Sequence, residues 1–196
     1  MKKIIGVILM LCIVMAFVAC ASKPAAKTGT QASERKVPNS FPEFVKKAVK
    51  NTPEDVLVGI GTAKLASLSQ SRTVAGTRAR TEISRQLNTM IQDMVRDYQA
   101  SSEVDPAAAI SFQENITVAL SQTTLTGAAI VDEDGDENGN WWTVVRLSKT
   151  DVVREINQAQ AAARLAVPAM ASFSAEDRMN EAFARMYNEE VRVGDR

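Results

Sequence analysis

Fifteen uncharged, mostly apolar residues, Ile4 to Val18, follow Met1-Lys2-Lys3 and lead into Ala19-Cys20. A run of about 15 residues falls short of the roughly 20 that a helix needs to span a bilayer. A basic start, an apolar middle and a small residue at the end instead make a secretory signal peptide over residues 1–19. Cys20 then reads as the site of lipidation and as the first residue of the mature chain. Ala19 is the small residue that a bacterial signal peptidase needs immediately before the cysteine, although Phe17 is bulkier than the leucine usual three positions before it. An uncleaved anchor is the alternative.

From Ala21 to Ser40 the chain is rich in Ala, Ser, Thr, Lys and Pro and has no apolar period. Such a stretch predicts a flexible tether over residues 20–40, reaching roughly 25 Å root-mean-square. Phe41-Pro42-Glu43-Phe44-Val45 opens a short helix with proline in its first turn, and Asn51-Thr52-Pro53 closes it. A strand follows over Val56–Ala63. Its Gly59-x-Gly61 lacks the third glycine of a nucleotide loop and sits inside the apolar run, so close backbone packing or a bulge is the better reading.

Ser69 to Ala100 predicts the longest element, a helix of roughly 45 Å at about 1.5 Å per residue. Ala79, Ile83, Leu87, Met90, Ile91, Met94 and Tyr98 fall within about 120° of arc, a stripe suited to covering a sheet. Arg78, Glu82, Arg85, Gln92 and Arg96 are assigned to a solvated face, with Arg78 and Glu82 at the i,i+4 spacing of an exposed pair. Arg80 breaks the stripe. It must extend past the core or find a carboxylate, and it is read as half of a structural ion pair, with a ligand site as the alternative.

Asp105-Pro106 caps a second helix reaching about Leu120, after which Thr123–Val131 and Trp141–Leu147 form a β-hairpin across the acidic stretch Asp132–Asn140. The last strand is apolar on both faces, and Trp141 and Trp142 point to opposite ones, so the long helix buries one of them and the other must lie under the C-terminal helices, the preferred reading, or at an interface. Helices over Asp151–Leu165 and Ala175–Asn188, separated near Pro168, complete the chain. The expected fold is α/β (α+β), with a small antiparallel sheet of about three strands covered by one long helix. Residues 41–196 are read as a single domain with a helical extension from about residue 151.

Composition narrows the chemistry. There is no histidine, and after removal of residues 1–19 Cys20 is the only cysteine, with a net charge of about −2. Imidazole catalysis, disulfide frameworks and the common zinc sites are thereby excluded, and no charge excess points to nucleic acid. Asp134-x-Asp136-x-Asn138-Gly139 matches the first half of a calcium loop, but Val145 stands where the bidentate glutamate belongs. An exposed turn is therefore preferred, with Asp134, Asp136 and Asn138 kept as calcium candidates. No catalytic residues and no cofactor are expected.

These features together resemble the LPP-twenty family of small bacterial lipoproteins, which includes flagellum-associated outer-membrane lipoproteins. The resemblance covers roughly Phe41 to Lys149. It rests on Phe41-Pro42-Glu43-Phe44-Val45, on Val58-Gly59-Ile60-Gly61-Thr62-Ala63, on Ala75 through Ala79-Arg80-x-Glu82-Ile83, and on a closing hairpin whose second arm is Trp142-Thr143-Val144-Val145. It implies a long helix crossing a small antiparallel sheet and outer-membrane, flagellar-assembly or host-exposed roles, with no shared catalytic residues. The helices after Asp151 depart from it. The expected protein is thus a non-enzymatic envelope lipoprotein, anchored to the bilayer through acylated Cys20, that recruits an envelope protein or self-associates. A ligand- or calcium-binding envelope lipoprotein is the alternative.

Overall fold

The computed structural model describes residues 35–188 together with Val193 and Gly194. The elements run α1 (Glu43–Lys50), β1 (Val56–Ala63), α2 (Leu68–Ser101), α3 (Pro106–Gly127), β2 (Ala129–Gly135), β3 (Trp141–Ser148), α4 (Lys149–Ala166), a 3-10 turn at Pro168–Met170, α5 (Ala175–Asn188) and β4 (Val193–Gly194). The sheet has four strands in the order β2-β3-β1-β4. β1 and β3 are antiparallel along their whole length, from Val56 opposite Ser148 to Ala63 opposite Trp141, and β4 adds a short parallel edge beside Ile60 and Gly61. A mixed α/β domain with a small sheet against one long helix is the architecture that the apolar pattern predicts.

The two glycines of β1 set the distance between sheet and helix. A Cβ on Gly59 would lie 2.1 Å from the Ala79 carbonyl oxygen, and one on Gly61 would lie 2.0 Å from that of Ala75. Strand and helix backbones therefore touch, which neither would allow with a side chain between them. Because Gly61 meets Ala75 while Gly59 meets Ala79 and Ile83, α2 runs antiparallel to β1. The helix has 34 residues. About 15 of them, from Leu87 onward, overhang the Val56 end of the strand by roughly four turns.

That overhang explains the helical half of the protein. Leu87, Met90, Ile91, Met94 and Tyr98 share one core with Phe112, Ile116 and Leu120 of α3, Val152 and Ile156 of α4, and Met179 and Phe183 of α5. α3 runs through Thr123 to Gly127, where a strand was expected, and β2 starts at Ala129. The threonines favour a strand locally. Ala109, Phe112, Ile116 and Leu120, buried at helical spacing, carry the segment as a helix instead. β2 then takes Asp132 to Gly135 into its ladder with β3 after a bulge between Ile130 and Asp132.

On the other face of the sheet, Phe41, Val45, Ala48 and Val49 cover Val58, Ile60, Trp142 and Val144. Phe41 and Trp142 are in ring contact, 5.6 Å between centroids. The expectation that C-terminal helices cover the second tryptophan face is thus corrected: α1 covers it, because Met179 and Phe183 are drawn to the overhanging end of α2. The tether boundary moves as well. Arg35 is 7% exposed and Val37 packs against the α1 core, so the chain joins the domain before Phe41.

The glycine contact makes opposite predictions for two alanine substitutions. Gly61→Ala must force strand and helix apart and should cost roughly 3 kcal/mol or more in urea denaturation. Gly76→Ala, on α2 with only the Arg80 Nη1 atom near its new Cβ at 3.5 Å, should instead stabilise by about 0.5–1 kcal/mol through helix propensity. Similar effects from both would show that the strand–helix contact is not close.

Candidate interaction surfaces

The acidic hairpin is closed by its own backbone. One carboxylate oxygen of Asp136 accepts the backbone N–H groups of Asn138 and Asn140, each at 2.9 Å. The other accepts Asn140 Nδ2 at 2.8 Å and the indole Nε1 of Trp142 at 2.9 Å. Four donors fill the four acceptor positions of a carboxylate. Partial desolvation acts to raise the Asp136 pKa, yet the hydrogen bonds from Asn140, Trp142 and Asn138 outweigh it and hold the group at about 2.

The other calcium candidates are engaged in the same turn. Asp134 Oδ1 accepts the Gly135 N–H at 2.8 Å, and the Asn138 carbonyl accepts the Lys64 ammonium at 2.7 Å. Gly139 supplies the positive φ, 77°, that the reversal requires. Among the described residues no three metal-ligating side chains converge. Asp136 is therefore a turn scaffold that ties the hairpin tip to the buried Trp142.

The flank of α2 differs from the solvated face expected of it. Glu82 is 4% exposed and pairs with Arg85, not with Arg78. Gln86 Nε2 donates to Glu82 Oε1 at 3.2 Å and to the Val58 carbonyl at 2.9 Å, while Arg78 Nη1 donates to the Thr62 carbonyl at 2.6 Å. The cause is again the close approach of the backbones, which brings this flank against the outer edge of β1. Arg80 forms no ion pair among the described residues. Its guanidinium lies one turn back over the Gly76 carbonyl at 3.4 Å and is partly exposed, because Ala75 and Ala79 seat the helix and leave Arg80 at its border with solvent.

Arg35 completes this edge by donating to the Val56 carbonyl at 3.0 Å with its guanidinium 4.5 Å from the centre of the Tyr187 ring. Burial lowers its pKa, against the pull of Tyr187. Periodicity gives no sign of Arg35 or Gln86 as edge-capping groups, nor of β4 at Val193 and Gly194. At the far end of the sheet Trp141 is half-buried on the α2 face beneath Arg72, which pairs with Glu133. Leu65, just before α2, and Leu68, its first residue, stand exposed, and Ile130 and Val131 are exposed on the β2 edge.

Two shallow depressions lie on helical surfaces. One of 450 Å³ is lined by Glu43, Phe44, Lys46, Lys47, Lys50 and Asn51 on α1, and one of 280 Å³ by Gln92, Val95, Arg96, Gln99, Ile110 and Gln113 between α2 and α3. In the first, Lys46 pairs with Glu43 at 2.8 Å on the exposed face of α1. No described helix is long and apolar enough to cross a membrane. Cys20 lies outside the described residues. No family model, no curated protein and no solved structure matches the chain.

The Asp136 turn generates a pH test. A carboxyl whose folded-state pKa of about 2 lies below its ordinary 3.8 stabilises the fold above about pH 4, and that contribution fades as pH falls through about 2. Asp136→Asn should lower the urea stability at pH 7 by on the order of 1 kcal/mol, the scale of charge-assisted hydrogen bonds at a partly exposed site. The difference from the native chain should shrink between about pH 4 and about pH 2. A difference independent of pH would mean that the charge of Asp136 does not hold the turn.

Proposed function

We propose that this protein is a bacterial envelope lipoprotein, fixed to the membrane by acylated Cys20, whose domain acts by holding other protein and not by catalysis. The observation that carries the reading is Phe17-Val18-Ala19-Cys20 at the end of an apolar run that opens with Met1-Lys2-Lys3. The lipid supplies the anchor at about 0.8 kcal/mol per buried CH₂. The chain between the cysteine and Arg35 supplies reach.

The domain supports an interaction role in its own way. Both faces of the sheet are covered by the protein's own helices, and two shallow depressions among the described residues lie on helical surfaces. Helix flanks and the β2 edge, where Ile130 and Val131 are exposed, are surfaces of the kind that bind protein. The chain has no histidine, and the Asp136 carboxylate of its acidic turn is hydrogen-bonded internally. Outer-membrane placement and flagellar assembly are what the resemblance to the LPP-twenty family implies, and they enter the proposal on those sequence features alone.

Cys20→Ser tests the anchor. Metabolic labelling with a fatty acid should mark the native chain and not the variant, and the variant should leave the membrane fraction in a high-salt wash. A variant that stays with membranes would place the anchor in an uncleaved apolar segment.

A further inference from the structure

The outer edge of β1 is covered in two different ways. Carbonyls of alternate residues of a strand point to the same edge, and on this edge those of Val56, Val58 and Thr62 accept from the side chains of Arg35, Gln86 and Arg78. Between them, Ile60 and Gly61 are paired with Val193 and Gly194 of the C-terminal segment. This edge therefore accepts a strand, and side chains close what the short strand leaves open.

The fit is specific. A Cβ at Gly194 would lie 2.4 Å from the Arg78 carbonyl oxygen and 3.4 Å from Glu82 Cβ, so only glycine lets a backbone settle in the angle between β1 and α2. One position earlier, Val193 packs against the apolar cluster of Val58, Ile60 and Trp142. The seat thus asks for an extended segment with an apolar residue beside Ile60 followed by glycine. Among the described residues, Ile60 paired with Val193 and Gly61 paired with Gly194 hold it.

We infer that the outer edge of β1 is a strand-accepting site, and that the Val193-Gly194 segment of a second copy of this chain takes the place of the chain's own. The segment already meets the demands of the seat, and every copy carries it, so exchange needs no new complementarity. The inference names a partner for the recruiting role proposed above and rests on that reading only for the role, because exchange of a strand needs no membrane.

The test uses the full chain in detergent micelles and a fluorescent peptide of residues 189–196, followed by anisotropy. Gly194→Val in the chain unseats its own segment and leaves the edge open, so this variant should bind the peptide at least tenfold more tightly than the native chain does. A peptide carrying the same substitution should bind neither. Failure of the folded variant to bind the native peptide, or equal binding of both peptides, overturns the inference. Should the variant not fold, two differently tagged native copies decide: they should co-purify and be separated by excess peptide. Copies that never associate, or that stay together in excess peptide, overturn it. The mass of the same samples reports acylation of Cys20 separately. An unacylated chain that binds the peptide would sink the lipoprotein reading and leave this one standing.

Discussion

The contact on which this structure depends is the one without side chains, where Gly59 and Gly61 of β1 lie against the Ala75 and Ala79 backbone of α2. Close packing of two backbones fixes the register of helix on strand in steps of one turn, since a side chain at either glycine would meet a carbonyl oxygen. Three other features follow. The flank of α2 comes within hydrogen-bond reach of β1's outer edge, so Arg78 and Gln86 cap strand carbonyls. Glu82 is buried there and held by Arg85 and Gln86. The remainder of α2 projects past the sheet, and α3, α4 and α5 assemble around the projecting stripe.

The second organising contact links the hairpin to the opposite face of the sheet. Asp136 receives two backbone amides and two side-chain donors, one of them the indole of Trp142, whose ring lies in the α1 core against Phe41. An exposed acidic turn is thereby tied to a buried aromatic. Bulge and acidic residues on β2, and side-chain caps with a short parallel strand on β1, leave neither edge as a bare row of backbone groups.

Where local pattern and tertiary packing agreed, the elements were legible beforehand. The strand Val56–Ala63 and the helix Ala175–Asn188 form at the predicted bounds, and the long helix extends one residue beyond its predicted bounds at each end. Periodicity also reports which residues of α2 point inward. It does not report how near the next backbone lies, and for that reason Arg78 and Glu82 were assigned to solvent when the glycine contact brings their flank to the strand edge. Thr123 to Thr126 read as strand because β-branched residues favour it, while the burial that keeps them helical comes from Phe112, Ile116 and Leu120 upstream. Trp142 is buried while Trp141, on the α2 face, is only half-buried. Alternation along a strand cannot say which helix covers Trp142, and α1 proved to be the nearer one. Spacing also does not encode how many donors Asp136 of the acidic turn already accepts.

If the strand–helix contact is what the rest is built on, it should also be the last part to open. Native-state hydrogen exchange across a urea series measures this directly. The account predicts that amides of β1 paired with β3, and those of α2 from Ala75 to Leu87, exchange only through global unfolding. Amides of α5 and of the hairpin tip should exchange through smaller openings at lower free energy. Earlier exchange of β1 and of that part of α2 than of α4 and α5 would contradict it and place the foundation of the fold in the helical end.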